Sequence, residues 1–307
     1  MSRVARLLVS PVVAAVACLW QLSAVAAEVF TTRPLADNVH LITGPSGNTL
    51  AAVDTDGVIL IEGVPAQYAA EYLAFVKQLT GSDRIKTLIN THWHAESTGL
   101  NGAVATTGTE IISHANTKQW LGATIRRRGE EVLHTPVAKE QLPTKIFYDT
   151  LSLPFRGASI ELGYLLHAHT DGDIYAYFPQ QDILFTGPAV RTDTWSAVDE
   201  STNGFIGGLT DAYDELATRV TGKTTIVPLS GALLDKSAFD EQMAMYKNLM
   251  KEMVALLRQS RSADEVVIAN PAVGLKPEWG DPSVFLDEGF RSFYGHLREG
   301  RHVGTMP

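Results

Sequence analysis

The sequence contains a single cysteine, Cys18, in a chain of 307 residues. This cysteine lies in an N-terminal apolar run that we expect to be removed from the mature protein. A mature chain without cysteine has no disulfide and no thiolate metal ligand. Any metal site must then be built from imidazole and carboxylate groups.

Two common catalytic motifs are also missing. The glycines between 204 and 208 lack the spacing of a dinucleotide-binding loop. Ser230 and Gly231 do not form the Gly-x-Ser-x-Gly turn that exposes a serine nucleophile. The sequence therefore gives no indication of a nucleotide cofactor and disfavours a serine hydrolase.

Positive charge is scarce, because 25 lysines and arginines face 34 acidic residues, giving a formal net charge of -9. An acidic protein repels phosphate backbones, so nucleic acid is not an expected partner. The one basic cluster, residues 126–128, is followed by two glutamates. This pattern predicts a solvated helix face.

The N-terminus has the pattern of a secretory signal peptide over residues 1–27. Two arginines precede an apolar run over 7–22, and small residues follow at 24–27. A retained membrane anchor is the alternative, but the run is short for a full span. We expect cleavage, export to the periplasm and no stable membrane span afterwards. Lipid attachment at Cys18 stays open.

The hydrophobic pattern predicts two runs of strands, each followed by helices. This order indicates two packed sheets with helices outside. The predicted strands cover 39–42, 48–53, 58–61, 85–90, 110–113, 146–153, 159–166, 174–178, 183–185 and 225–228. The predicted helices cover 68–79, a segment capped by Ser113 that runs through Trp120 and Ile125, 204–220, 239–257, 265–268 and 284–297.

The most informative stretch is residues 91–101, which places His92 and His94 directly after a predicted buried strand. Two imidazoles one residue apart at a strand end can converge on one cation. Their nitrogen atoms are ligands that suit zinc.

This stretch resembles the motif His-x-His-x-Asp-His-x-x-Gly of the metallo-β-lactamase superfamily. His169 begins the segment His-Thr-Asp-Gly-Asp, which resembles a second element of that family. The resemblance implies an α/β fold, a four-layer αβ/βα sandwich with two mixed β-sheets flanked by helices, over residues 28–260. Residues 261–307 are then a C-terminal helical extension.

The resemblance also implies a three-histidine site, formed by His92, His94 and His169, that binds one Zn²⁺ per chain. His167 lies two residues before His169, and spacing alone does not choose between them. The family element favours His169.

Four positions depart from the family pattern, and all four belong to its second metal site. Glu96 stands in place of an aspartate and Ser97 in place of a histidine. Pro188 stands where the family has a bridging aspartate, and Ser230 where it has its last histidine. Hydroxyls are poor zinc ligands and proline offers no donor atom, so we expect the second site to be lost.

These residues predict an exported hydrolase with one zinc ion that acts on an ester, lactone or amide of a small molecule. Glu96 is the candidate catalytic residue, as general base or as the group that orients a histidine or water. The alternative is a non-catalytic descendant that binds a small ligand or a partner protein in the former active cleft. A purely structural protein is a third possibility. The sequence indicates neither the substrate nor the oligomeric state.

Three further residues could lie near the site. Glu62 ends a strand where relatives often carry aspartate, so it could support a ligand. His114 either lines the pocket or begins a helix. For Trp93 we favour packing over contact with a substrate.

Overall fold

A computed structural model describes residues 29–128 and 131–298. The predicted signal peptide, with Cys18, lies outside these ranges. Within them we number the strands β1 (Thr31–Ala36), β2 (Val39–Gly44), β3 (Gly47–Asp54), β4 (Gly57–Ile61), β5 (Ile85–Ile89), β6 (Glu110–His114), β7 (Lys145–Phe147), β8 (Thr150–Phe155), β9 (Ala158–Tyr164), β10 (Ile174–Phe178), β11 (Ile183–Phe185) and β12 (Thr225–Val227). The α-helices are α1 (Ala69–Thr80), α2 (Ala95–Thr98), α3 (Asn101–Val104), α4 (Ala115–Leu121), α5 (Ile206–Ala217), α6 (Lys236–Arg258), α7 (Ala263–Ala269) and α8 (Ser283–Arg298).

The described strands form two mixed sheets. The first holds β1 to β7 in sequence order, antiparallel up to β4 and parallel from β4 to β7. The second has the order β12-β11-β10-β9-β8, and only its β11–β12 pair is parallel. Two mixed sheets flanked by helices confirm the predicted α/β sandwich.

Three apolar clusters fill the spaces between the layers. Ile61 and Ile89 of the first sheet meet Leu162 and Phe185 of the second in a cluster between the sheets. A second cluster packs α1 against the outer face of the first sheet. A third packs α5, α6 and α8 against the outer face of the second sheet. Each sheet therefore buries both faces, which explains why the central strands are almost wholly apolar.

The predicted strand 146–153 is wrong, because the chain changes sheets inside it. β7 pairs in parallel with β6 of the first sheet, whereas β8 pairs with β9 of the second. Tyr148 and Asp149 make the break between them, with the Tyr148 side chain exposed. One apolar run therefore supplies a strand to each sheet.

The predicted helix after β6 is partly wrong. The residue that caps its first turn is His114 and not Ser113. His114 Nδ1 accepts a hydrogen bond of 3.2 Å from the backbone N–H of Asn116. The helix ends at Leu121. Ile125 instead pairs with His134 in an isolated bridge, because both of its backbone groups bond to that residue.

The predicted C-terminal extension is helical over α7 and α8 and packs into the same core as α5 and α6. Phe285, Phe290 and Phe293 are fully buried, and Phe285 stacks on Trp195 with ring centroids 5.3 Å apart. In the described part of the chain, every helix is too short or too polar to cross a bilayer.

Candidate metal centre

The two sheets meet at the histidine cluster. His92 and His94 follow β5, and His94 is the residue that precedes the first turn of α2. His169 lies in the loop between β9 and β10. The backbone N–H of Ile174 donates to Thr91 O at 2.9 Å, which ties the start of β10 to the loop after β5. Strands from both sheets therefore position the three imidazoles.

The structure brings the three predicted histidines together. His169 Nε2 lies 3.0 Å from His94 Nδ1, and one nitrogen atom from each ring lies within 4.8 Å of the others. All three side chains are buried. Among the described residues, this is the one group of three or more histidine, cysteine or acidic residues close enough to share a metal ion.

The outer nitrogens of two rings contact fixed acceptors. His94 Nε2 lies 3.0 Å from Asp199 Oδ2, and His169 Nδ1 lies 2.9 Å from the carbonyl of Ala197. A carboxylate and a carbonyl only accept, so both outer nitrogens carry the proton. His94 Nδ1 and His169 Nε2 then face each other with lone pairs at hydrogen-bond distance. Two facing lone pairs repel unless a cation lies between them.

The third ring completes this donor set. His92 Nε2 is fully buried and has no hydrogen-bond partner among the described atoms. Its Nδ1 lies 3.8 Å from Glu62 Oε2, and Glu62 also accepts a short hydrogen bond from the Thr91 hydroxyl. Three inward nitrogens, with outer nitrogens held by other groups, are the arrangement found around zinc. The residues present therefore fit a zinc ion.

Burial favours the neutral form of His92 and His169. Burial lowers the pKa of His92 well below its usual range, and a proton on His94 or His169 would lower it further by repulsion. Burial and the neighbouring charges of His94 and Arg191 do the same to the pKa of His169. Because a metal binds the neutral imidazole, low pKa values favour metal binding at neutral pH.

Asp199 is a site residue that the sequence did not predict. Burial raises the pKa of this carboxyl, but the hydrogen bond to His94 and the charge of Arg127 hold it below its usual range. Arg127 Nε lies 3.3 Å from Asp199 Oδ2, and Thr202 donates to the same oxygen at 2.9 Å. Trp93 is buried and donates to Thr202, so it packs behind the site as expected.

The predicted helix face at residues 126–128 is therefore wrong. These residues lie in a loop, and the side chain of Arg127 is only 23% exposed where it pairs with Asp199. Arg128 contacts Glu200 at 3.3 Å. Arg127 and Arg128 therefore form ion pairs with Asp199 and Glu200, and the cluster is only partly solvated.

Glu96 lies beside the histidine cluster, in the first turn of α2. Its side chain is 45% exposed, and its Oε1 is 3.8 Å from His94 Nδ1. It also lines a cavity of about 520 Å³, together with Ala66, Gln67 and Gln141. The carboxylate is thus next to the metal-facing nitrogen of His94 and open to a bound molecule.

The other departures from the family pattern make contacts within the protein. Ser97 is buried and hydrogen-bonds Glu62, and Pro188 is buried in a short turn after β11. Ser230 donates to Asp193 at 2.6 Å and accepts from Arg191 Nη1 at 3.3 Å. A guanidinium therefore touches the residue at the position of the family's last histidine.

The remaining candidates have structural contacts. His167 Nδ1 lies 3.0 Å from the carbonyl of Asn203, and His167 does not belong to the cluster. His114 begins α4 and stacks on Tyr164 with ring centroids 4.0 Å apart. Of the two interpretations of His114, the helix start is the one observed. Glu62 lies beside His92, which is the position that its predicted role of supporting a metal ligand requires.

A sequence model of the metallo-beta-lactamase superfamily matches residues 42–231. The metallo-beta-lactamase from Pontibacter korlensis has a similar structure, with a TM-score of 0.59 at 20% identity, covering 71% of this chain and 99% of that one. FIM-1 from Pseudomonas aeruginosa, in its mono-zinc form, gives 0.57 at 16% identity, with 71% and 95% covered. At these identities the structural likeness concerns the fold.

One curated protein is related in sequence. The alpha subunit of 2,4-dinitroanisole O-demethylase from Nocardioides sp. (strain JS1661) is 27% identical over 195 residues. The matched region covers 60% of this chain and 56% of that protein. The chain thus spans about half the length of this relative.

Proposed function

Because the chain belongs to the metallo-β-lactamase superfamily and gathers three buried imidazoles at its motif, we propose that it is a hydrolase with one zinc ion. We further propose that it is exported to the periplasm and acts on an ester, lactone or amide of a small molecule. The observation that carries the proposal is the approach of His94 Nδ1 and His169 Nε2 to 3.0 Å, with a third, unpartnered nitrogen on His92.

His92 Nε2, His94 Nδ1 and His169 Nε2 would hold the ion. When bound there, zinc supplies a Lewis acid that polarises a carbonyl and lowers the pKa of a coordinated water towards ~7. Asp199 and the carbonyl of Ala197 keep the outer nitrogens of two rings protonated. The inward nitrogens therefore stay available as ligands.

Glu96 is the proton acceptor in this proposal. Its carboxylate lies beside the cluster and faces the cavity, so it can accept a proton from a water molecule in the cleft. A bridging water between two metals is not part of the proposal, because Ser97, Pro188 and Ser230 offer no anionic or imidazole ligand for a second ion. Glu96 is then the nearest carboxylate that the motif provides for general-base catalysis.

The substrate class includes aromatic compounds in this proposal. Trp120 and His134 line a cavity of about 270 Å³ next to α2, and aromatic walls suit planar rings. The related subunit is named for the O-demethylation of 2,4-dinitroanisole. Aryl esters and 2,4-dinitroanisole are therefore the first compounds to assay.

The alternative is a non-catalytic descendant that binds a small ligand or a partner protein in the same cleft. The loss of the second-site ligands supports this alternative, because the usual two-metal chemistry needs them. Measuring the zinc content together with the hydrolytic activity distinguishes the two functions. The alternative is favoured if the protein binds a ligand in the cleft but has no zinc-dependent hydrolysis.

The test uses the full chain, recovered from the exported fraction after expression in a bacterium. Elemental analysis is expected to give one zinc per chain, removed by a chelator together with hydrolysis. His94→Ala is expected to lose both zinc and activity. Glu96→Gln is expected to keep zinc and to lower the rate by ~10²–10⁴-fold, the usual cost of losing a general base.

His167→Ala is the matched control, because this histidine is close in sequence but outside the cluster. It is expected to keep zinc and activity. Two tightly bound metals per chain would contradict the single-site proposal. If the hydrolytic activity survived both His94→Ala and Glu96→Gln, the reaction would take place in another part of the molecule.

A further inference from the structure

The C-terminal helices α7 and α8 line a cavity of about 570 Å³ that the proposed hydrolysis does not use. Six of the side chains around it occupy positions i, i+3 and i+4 of one helix face, namely Asp264, Val267 and Ile268 on α7, and Val284, Asp287 and Glu288 on α8. None of the described residues that line it belongs to the histidine cluster. Each helix therefore presents a second face, both aliphatic and acidic, away from the metal centre.

The aliphatic side chains of this cavity are open to solvent. Ile268 is 83% exposed and Val284 is 65% exposed, whereas Val266 and Phe285, on the core faces of the same helices, are buried. Exposed apolar side chains that gather around a cavity, next to polar groups, are typical of a binding site. The cavity thus offers an aliphatic wall to the hydrocarbon part of a ligand.

The acidic side chains of the cavity differ in their partners. Arg291 Nε donates to Asp287 at 2.8 Å, and its Nη2 donates to Asp264 at 3.1 Å. One guanidinium therefore neutralises part of the charge of two aspartates. Within residues 29–128 and 131–298, by contrast, no lysine or arginine nitrogen lies within 4.0 Å of the Glu288 carboxylate.

The charges around Glu288 favour a cation. Arg128 also lines the cavity, but its Nη1 pairs with Glu200 at 3.3 Å. The Glu288 side chain is only partly exposed. Burial, together with the negative charge of Asp199, raises the pKa of Glu288 to about 7. Above that pH the cavity holds a carboxylate that is partly desolvated and has no ion-pair partner, and such a group is stabilised by a positive charge.

We propose that this cavity binds a small organic cation that consists of a primary ammonium group on a short aliphatic chain. The ammonium would donate to the Glu288 carboxylate, because it has three donors and no acceptor. The chain would lie along Ile268 and Val284. A volume of about 570 Å³ is typical of small-molecule sites, which favours a small ligand over a protein partner. This second site does not rest on the proposed function.

The test compares hexylammonium with 1-hexanol, which has the same chain and no charge. The full chain, labelled with nitrogen-15, is titrated with each compound at pH 8, where Glu288 is ionised. The wild type is expected to prefer hexylammonium by ~10-fold or more, the effect of a charge-assisted hydrogen bond. The largest shifts of backbone NMR signals are expected in α7 and in the first half of α8.

Two substitutions separate the two parts of the site. Glu288→Gln keeps the shape of the side chain, removes its charge and is expected to abolish the preference for hexylammonium. Ile268→Ser is expected to weaken both compounds by ~4-fold or more, the effect of losing contact with about one methylene group, and to leave the preference unchanged. Glu252→Gln, at an exposed residue of α6 outside the cavity, is the control and is expected to change neither affinity.

Equal affinities of the wild type for the two compounds would overturn the proposal, and so would a preference that Glu288→Gln leaves at the wild-type value. Each variant is checked for native circular dichroism, and if Glu288→Gln does not fold, Glu288→Ala is measured with the same expectation. Zinc-free wild type is expected to keep the preference, whether or not the protein proves to be a hydrolase. If the preference disappears when a chelator removes the zinc, the amine binds at the metal centre and the proposal is wrong.

Discussion

Asp199 influences the histidine cluster through one ring. Its carboxylate contacts the outer nitrogen of His94, and Arg127 and Thr202 hold the carboxylate in place. A carboxylate behind an imidazole raises the basicity of the opposite nitrogen and fixes the ring orientation. Asp199 is thus a positioning residue whose effect should be visible in zinc affinity before it is visible in activity.

We expect Asp199→Asn to lower zinc affinity by ~10–100-fold, the usual effect of losing a partner that orients a metal ligand. Asparagine keeps an acceptor oxygen but removes the charge that polarises His94. Competition with a chromogenic chelator measures the affinity. Asp240→Asn, at a partly exposed residue of α6 that pairs with Lys236, is the control. An unchanged affinity would show that His94 needs only an acceptor and no charge.

At this scale the sequence predicted the histidines but not their supporting residues. His92, His94 and His169 lie in short motifs whose spacing is visible in a single chain. Asp199 and Arg191 lie in an irregular loop without a periodic pattern, and Asp199 reaches His94 across 105 residues of sequence. Such contacts depend on how the sheets pack, and no local pattern records them.

Helix α8 brings a partly buried carboxyl close to the same charge network. Burial, together with the negative charge of Asp199, raises the pKa of Glu288 to about 7 from an ordinary value of 4.5. The unfolded chain therefore loses this proton at a lower pH than the folded chain. Between pH 4.5 and 7 the unfolded state binds fewer protons, so Glu288 makes the fold less stable as the pH rises.

We expect Glu288→Gln to have little effect on stability at pH 4 and to stabilise the fold by about 1–3 kcal/mol at pH 8, since a shift of one pKa unit corresponds to ~1.4 kcal/mol and partial exposure reduces it. Urea unfolding at both pH values measures the difference. Glu252→Gln on the exposed face of α6 is the comparison. Equal effects of Glu288→Gln at the two pH values would rule out a raised pKa.

Most elements could be predicted from the sequence because their apolar periods are clear. β4 and β5 are short, mostly apolar and largely buried runs between turn residues, and α1 is followed by Gly81, which adopts a positive φ of 73°. The change of sheets at Tyr148 and Asp149 could not be predicted. An apolar run has the same appearance whether its two halves pair with one sheet or with two.

Across the whole molecule, the C-terminal residues 261–298 complete a core that the rest of the chain leaves open. Phe285, Phe290 and Phe293 pack with α5 and α6 on the second sheet. The ring of Trp195 lies between Phe285 and Trp279. The loop that carries Trp195 also carries Asp199, so the C-terminal helices support the wall of the metal site.

We expect deletion of residues 261–307 to abolish cooperative folding. Losing one buried phenylalanine typically costs ~3–5 kcal/mol, and a domain has only ~5–15 kcal/mol of stability in total. Thermal unfolding followed by circular dichroism tests this. Ile268→Ser, at a side chain 83% exposed on α7, is expected to change little. A shortened chain that unfolds at the wild-type temperature would establish residues 28–260 as an independent domain.

The distance in sequence between the facing nitrogens of His94 and His169, 75 residues, has a kinetic consequence. The two rings follow strands of different sheets, so they meet only after both sheets have formed and packed together. An ion held between them cannot accelerate early folding, because its ligands are not yet assembled. It would instead slow the separation of the sheets, so its main effect would be a longer half-life of the native protein among the proteases that it meets.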